Sequence, residues 1–112
     1  MINILVLKDN QKNIKFIEAT GHSGYAEEGQ DIVCSAVSSL LETLANGLTE
    51  VVKAQAEVKV DESIPLLSVK LNETDKKKCE YAQILMQSTL LGLKGVANGY
   101  RKFIKIKEKQ ND

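Results

Sequence analysis

The chain has 112 residues, 43% hydrophobic and 27% charged, which suits one compact domain and leaves too little for a second core of ordinary size. Seven glycines, one proline and no low-complexity stretch exclude a collagen-like, disordered or linker-dominated protein. Fifteen basic and fifteen acidic side chains cancel, so the chain lacks the overall positive charge that drives non-specific nucleic-acid binding, and no direct nucleic-acid contact is expected. The distribution is uneven: residues 1–75 hold twelve acids and six bases, residues 76–112 three acids and nine bases. No stretch has the ~18 consecutive apolar residues of a membrane span, and the short apolar run from Ile4 to Leu7, flanked by Asn3 and Lys8, does not suit a secretory leader. Cys34 and Cys79 are too few and too far apart for a disulfide framework or a CxxC zinc site. A cytoplasmic protein with both thiols reduced, and no membrane partner, is the expectation.

In chain order, Ile2, Ile4 and Val6 alternate with Asn3, Leu5 and Leu7, and Ile14 and Phe16 alternate with Lys15 and Ile17, predicting a hairpin around the polar turn 8–13. From Asp31 the period changes. Val33, Val37, Leu40, Leu41, Leu44, Leu48, Val51 and Val52 recur at three- and four-residue spacing, predicting an amphipathic helix to about Ala54 with Asp31 as its N-cap. Glu57 to Asp61 and Leu66 to Asn72 read as two more strands, with Pro65 at the entrance of the second. A second helix follows, capped by Thr74 or Asp75, striped by Cys79, Ala82, Leu85, Met86, Leu90, Leu93 and Val96, and stopped at Asn98-Gly99. Phe103, Ile104 and Ile106 form a last strand among lysines. The order β-β-α-β-β-α-β predicts a single-domain α+β sandwich over residues 1–112, two helices packed on a mainly antiparallel sheet.

The chemistry-bearing stretch is the three-glycine segment 21–34 between the hairpin and the first helix, which contains the only histidine, His22. With Asp31 as N-cap, Cys34 is the third helical residue, where unpaired amide donors and the helix dipole favour a thiolate. A nearby imidazole can take the thiol proton and later protonate a leaving amine. Glycines such as Gly21 let His22 fold back toward Cys34. Cysteine is also among the most buried residue types, so core packing between Val33 and Val37 is the competing reading of Cys34. Asp31 would raise the thiol pKa if close to sulfur, and would orient the imidazole if pointed at His22. Ser38, four residues past Cys34, shares its helical face and can donate to substrate or bond the preceding turn. Cys79 reads as a core thiol, and Lys76 to Lys78 as solvated.

The block GHSGYAEEGQDIVCSAVSSLLETLANGL resembles the signature of the ribosomal-processing cysteine proteases called Prp, and the order of elements agrees with that family over nearly the whole chain. Ser23 and Ser35 stand where alanine is common in the family. The resemblance implies a cysteine endopeptidase with His22 as general base and Cys34 as nucleophile. It further implies removal of an N-terminal extension from bacterial large-subunit ribosomal protein number twenty-seven, aromatic residues near the cut, a homodimer in the bacterial cytoplasm, and no metal or organic cofactor. In the mechanism these residues suggest, amides near the helix start hold the oxyanion. Glu27, Glu28 and Asp31 would draw a lysine-bearing substrate toward Cys34. The alternative is a non-enzymatic ribosome-associated binding module whose lysines contact RNA. A metal-binding role would need a second clustered cysteine or histidine, which the sequence lacks.

Overall fold

The inner faces of the strands line up as mainly apolar rows, and both helices cover their central part. The computed structural model describes residues 1–22, 24–26 and 31–110. Strands β1 (Ile2–Lys8) and β2 (Ile14–Thr20) pair antiparallel; β2 pairs with β4 (Leu66–Leu71), β4 with β3 (Ala56–Asp61), and β1 runs parallel to β5 (Ile104–Gln110). The strand order is β3-β4-β2-β1-β5. Register places Val60, Leu67, Ala19, Ile4 and Ile106 in one row, and Val58, Val69, Ile17 and Val6 in the next. Because side chains alternate between faces, a single register fixes which residues of every strand enter the core. The fold is the α+β sandwich expected, with one parallel pair in an otherwise antiparallel sheet.

Helix α1 spans Ile32–Asn46 and buries Val33, Val37, Leu41, Leu44 and Ala45. It continues into a π-helical turn, Gly47–Val51, closed by the Val52 amide on the Gly47 carbonyl at 2.9 Å, so the apolar periodicity reaches almost as far as expected, with a wider last turn. The continuous helix Ile32–Val51 is long and apolar enough to cross a membrane by length and composition. In this fold its stripe, including Leu48, belongs to the common core. Helix α2 (Lys76–Gly99) starts on Asp75, whose carboxylate accepts from the Lys78 amide at 3.1 Å, and buries Ala82, Met86, Leu90 and Leu93. The two helices meet closely at Gly92, where a Cβ would lie 3.1 Å from Leu40 Cδ2.

Two polar contacts fasten α2 to the sheet. Gln83 Oε1 accepts from the Ile14 amide at 2.8 Å and its Nε2 donates to the Ile14 carbonyl at 2.7 Å, mimicking a strand neighbour beside the irregular register at Leu7/Lys8. The row that begins at Val58 ends on Glu108 of β5, an acid on the inner side of the sheet. Lys8 Nζ reaches Glu108 Oε1 at 2.8 Å and Lys94 Nζ reaches Oε2 at 3.0 Å, so both carboxylate oxygens are paired.

These bonds, the Lys8 bond foremost and then that of Lys94, hold the Glu108 carboxyl below its ordinary value of 4.5. A depressed folded-state pKa gives stability that is present above the unfolded pKa and lost as pH falls through the folded value. Glu108→Gln should therefore cost roughly 0.5–1 kcal/mol near neutral pH, the range of a partly exposed ion pair. The cost should shrink as pH falls below 4.5. Urea unfolding of both proteins at neutral and acid pH checks this; an equal cost at both would assign Glu108 a role other than pairing.

Candidate active site

The site begins with the cap of α1. Asp31 has extended backbone angles (φ −80, ψ 100), is buried, and its Oδ1 accepts from the amides of Val33 at 2.9 Å and Cys34 at 3.0 Å. Its carbonyl takes the Ser35 amide and the Ser35 hydroxyl, both at 3.1 Å. Asp31 is thus the N-cap the sequence indicated, and Cys34 the third helical residue. Cys34 is half-buried, with Val33 and Val37 fully in the core on either side of it in sequence. Two of the amides near the helix start, those of Val33 and Cys34, donate to the cap carboxylate. A side-chain cap and an oxyanion compete for the same orphan donors, and here the cap takes them.

The other half of the site hangs on the end of β2. Gly21 has φ +88, and a Cβ there would lie 2.5 Å from the Met1 carbonyl oxygen, so only glycine fits. Its amide donates to the Pro65 carbonyl at 2.9 Å, tying β2 to the β3–β4 turn. His22 follows, exposed, and Tyr25 packs its ring against Tyr100 and Phe103.

Gly21, His22, Asp31, Cys34 and Ser38 all line one cleft of about 660 Å³, between α1 and the β3–β4 hairpin. Ile2, Ala19, Val37, Leu41 and Leu67 give it apolar surface; Val60, Asp61, Glu62 and Pro65 come from the hairpin side. The sequence had brought His22, Cys34 and Ser38 together but offered no sign of this hairpin wall, which lies more than twenty residues downstream. Ser38 is exposed on the cleft, and its hydroxyl makes no hydrogen bond among the described residues, so it does not bond the preceding turn. Cys79 lies elsewhere, half-buried in the first turn of α2 with its Sγ donating to the Glu73 carbonyl at 3.3 Å.

The cleft is acidic. Asp31, Glu42, Asp61 and Glu62 line it, and no lysine or arginine does among the described residues. Hydrogen bonds from the Ser63 hydroxyl at 2.6 Å, the Ser63 amide at 3.0 Å and the Ile64 amide at 3.4 Å hold the Asp61 carboxyl below the usual range, keeping it charged. Glu27 and Glu28, expected to draw substrate, lie outside the described residues. No three histidine, cysteine or carboxylate side chains gather as a metal site would require among the described residues. What the cleft does offer is a thiol, an imidazole and a hydroxyl, the groups of thiol-based acyl transfer.

Known proteins agree with that chemistry. The family model for the cysteine protease Prp matches residues 1–105. The ribosomal processing cysteine protease Prp of Mycoplasma pneumoniae is 32% identical over 97 residues, covering 86% of this chain and 89% of its own. That of Bacillus subtilis is 23% identical over 107 residues, covering 95% and 96%. The crystal structure of the S. aureus Prp with a covalently linked product peptide superposes with a TM-score of 0.87 at 21% identity, covering 97% of this chain and all of that one. The chain belongs to the Prp family of cysteine proteases.

Proposed function

We propose that this protease removes the N-terminal extension of bacterial large-subunit ribosomal protein twenty-seven during ribosome maturation in the cytoplasm, using Cys34 as nucleophile and His22 as general base. The observation that carries the reading is that the only histidine and the first-turn cysteine open on one cleft. The relatives' name, ribosomal processing protease, supports the substrate class. His22 takes the Cys34 proton as sulfur attacks the scissile carbonyl. The C–N bond then breaks as His22 returns the proton to the departing amine. Water, deprotonated by His22, hydrolyses the thioester and restores the thiol. Asp31 fixes the position of Cys34 by capping, and Ser38 offers its hydroxyl to the developing oxyanion in place of the two occupied amides.

The apolar floor suits the aromatic residues that the family resemblance places near the cut, and the acidic rim suits a basic ribosomal protein. We further infer a homodimer: Ile84 and Leu91 are 64% and 70% exposed and lie two turns apart on one face of α2. Light scattering should show a dimer that Ile84→Glu with Leu91→Glu dissociates; a wild-type monomer at micromolar concentration would rule it out.

Incubation with the extended ribosomal protein, read by mass spectrometry, tests the dyad. Cys34→Ala should be folded and inactive, Cys79→Ala should cleave normally, and His22→Ala should turn over roughly 10²-fold more slowly or worse. Cleavage by purified Cys34→Ala at the wild-type rate would falsify the assignment.

The rim makes a separate prediction. Glu42→Gln with Glu62→Gln spares the turn that Asp61 supports, and should lower kcat/KM at low salt while leaving kcat nearly unchanged. The difference should fade as salt rises, since exposed charges are screened beyond ~10 Å at 0.1 M. A double variant matching wild type in kcat/KM at low salt would show that capture depends on the apolar floor alone.

A further inference from the structure

His22 sits in the chain between two anchors. The first is Gly21, held by its amide on the Pro65 carbonyl at 2.9 Å and backed so closely by the Met1 carbonyl that no side chain fits. The second is Tyr25. Gly24 and Ala26 on either side of it line the cleft, whereas Tyr25 itself does not. Its ring instead meets Tyr100 edge-on at 5.6 Å and 86°, and Phe103 at 5.2 Å and 80°. These are the edge-to-face arrangements that aromatic quadrupoles favour.

The platform under Tyr25 is itself fixed. The Tyr100 amide closes α2 on the carbonyls of Val96 at 3.0 Å and Ala97 at 3.2 Å, and the Phe103 amide donates to the Tyr100 carbonyl at 2.9 Å. The Phe103 carbonyl accepts from the Ile2 amide at 2.8 Å. Both anchors therefore converge on the start of β1: Met1 backs Gly21, and Ile2 holds Phe103. Between His22 and the clasp lies Gly24, at φ +75 with open space around it, a point where the backbone can swing once the ring lets go.

We propose that Tyr25 is a positioning residue for the hydrolysis: the clasp of Tyr25 by Tyr100 and Phe103 holds the His22 segment over the cleft that Cys34 lines. The proposal rests on the reading of His22 as the base. Since the Tyr25 side chain lies off the cleft, its removal takes away no substrate-contacting group, and the proton-transfer geometry is what it disturbs most. A misplacement of about 1 Å at such a group costs roughly 10²-fold in rate.

The test is steady-state kinetics on a peptide spanning the processing site, together with the pH dependence of Cys34 alkylation by iodoacetamide in a Cys79→Ala background. Tyr25→Ala should lose roughly 10²-fold in kcat, with KM within about threefold of wild type. Tyr25→Phe keeps both ring contacts and should restore kcat to within about threefold. Phe103→Leu removes one ring without touching the loop and should lower kcat in the same direction. Alkylation below neutral pH should fall in Tyr25→Ala and His22→Ala alike, and persist in Tyr25→Phe. If His22→Ala is inactive while Tyr25→Ala or Phe103→Leu keeps wild-type kcat, the positioning role is wrong and the dyad stands. A loss confined to KM, or an equal kcat loss in Tyr25→Phe, also overturns it, and an active His22→Ala overturns the dyad and the clasp together.

Discussion

Asp31 has one carboxylate and two competing demands on it. A helix start leaves its first amides without partners, and a thiol placed there gains from the positive end of the dipole. A carboxylate that caps those amides fixes the helix start, and with it the height at which Cys34 meets the cleft. Of the two demands, the cap is the one the structure shows: Asp31 Oδ1 accepts from the amides of Val33 and Cys34. Those two amides are thereby committed to the cap, while the Ser38 hydroxyl, one turn along the same face, is exposed on the cleft.

The position of Asp31 depends in turn on the sheet. Val33, Val37 and Leu41 bury one side of α1 in the common core, so the helix cannot rotate about its axis without exposing them. The sheet supplies the other half of the site through the end of β2, and the N-terminal residues do more there than extend a strand. The Met1 carbonyl determines that residue 21 is glycine, and the Ile2 amide holds the turn that carries Phe103. The parallel β1–β5 pair, with Ile2 opposite Ile104, brings that turn within reach of the His22 loop.

What the sequence could tell follows the range of the interactions involved. Alternation in Ile2, Ile4 and Val6, the helical stripe from Val33 to Leu48, and the Asp31 cap three residues before Cys34 are local patterns, and each matches the structure. The hairpin wall at Val60 to Pro65 and the Tyr25 clasp join residues far apart in the chain, and no periodicity announces them. The cap itself was legible, but which amides it takes, those of Val33 and Cys34, shows only in the structure. Glu42 likewise lies on the cleft without any local pattern that points to it.

Zero net charge conceals a separation that the topology makes spatial. The four acids on the cleft come from α1 and the β3–β4 turn, all within the first 75 residues, which hold twice as many acids as bases. The alternating lysines Lys105, Lys107 and Lys109 lie on β5, and the strand order puts β3 and β5 on opposite edges of the sheet. The acids of the cleft thus lie on α1 and at the β3 side, away from the edge that carries these lysines. A neutral chain can in this way carry a locally anionic cleft, and composition averaged over the whole sequence has no means of revealing it.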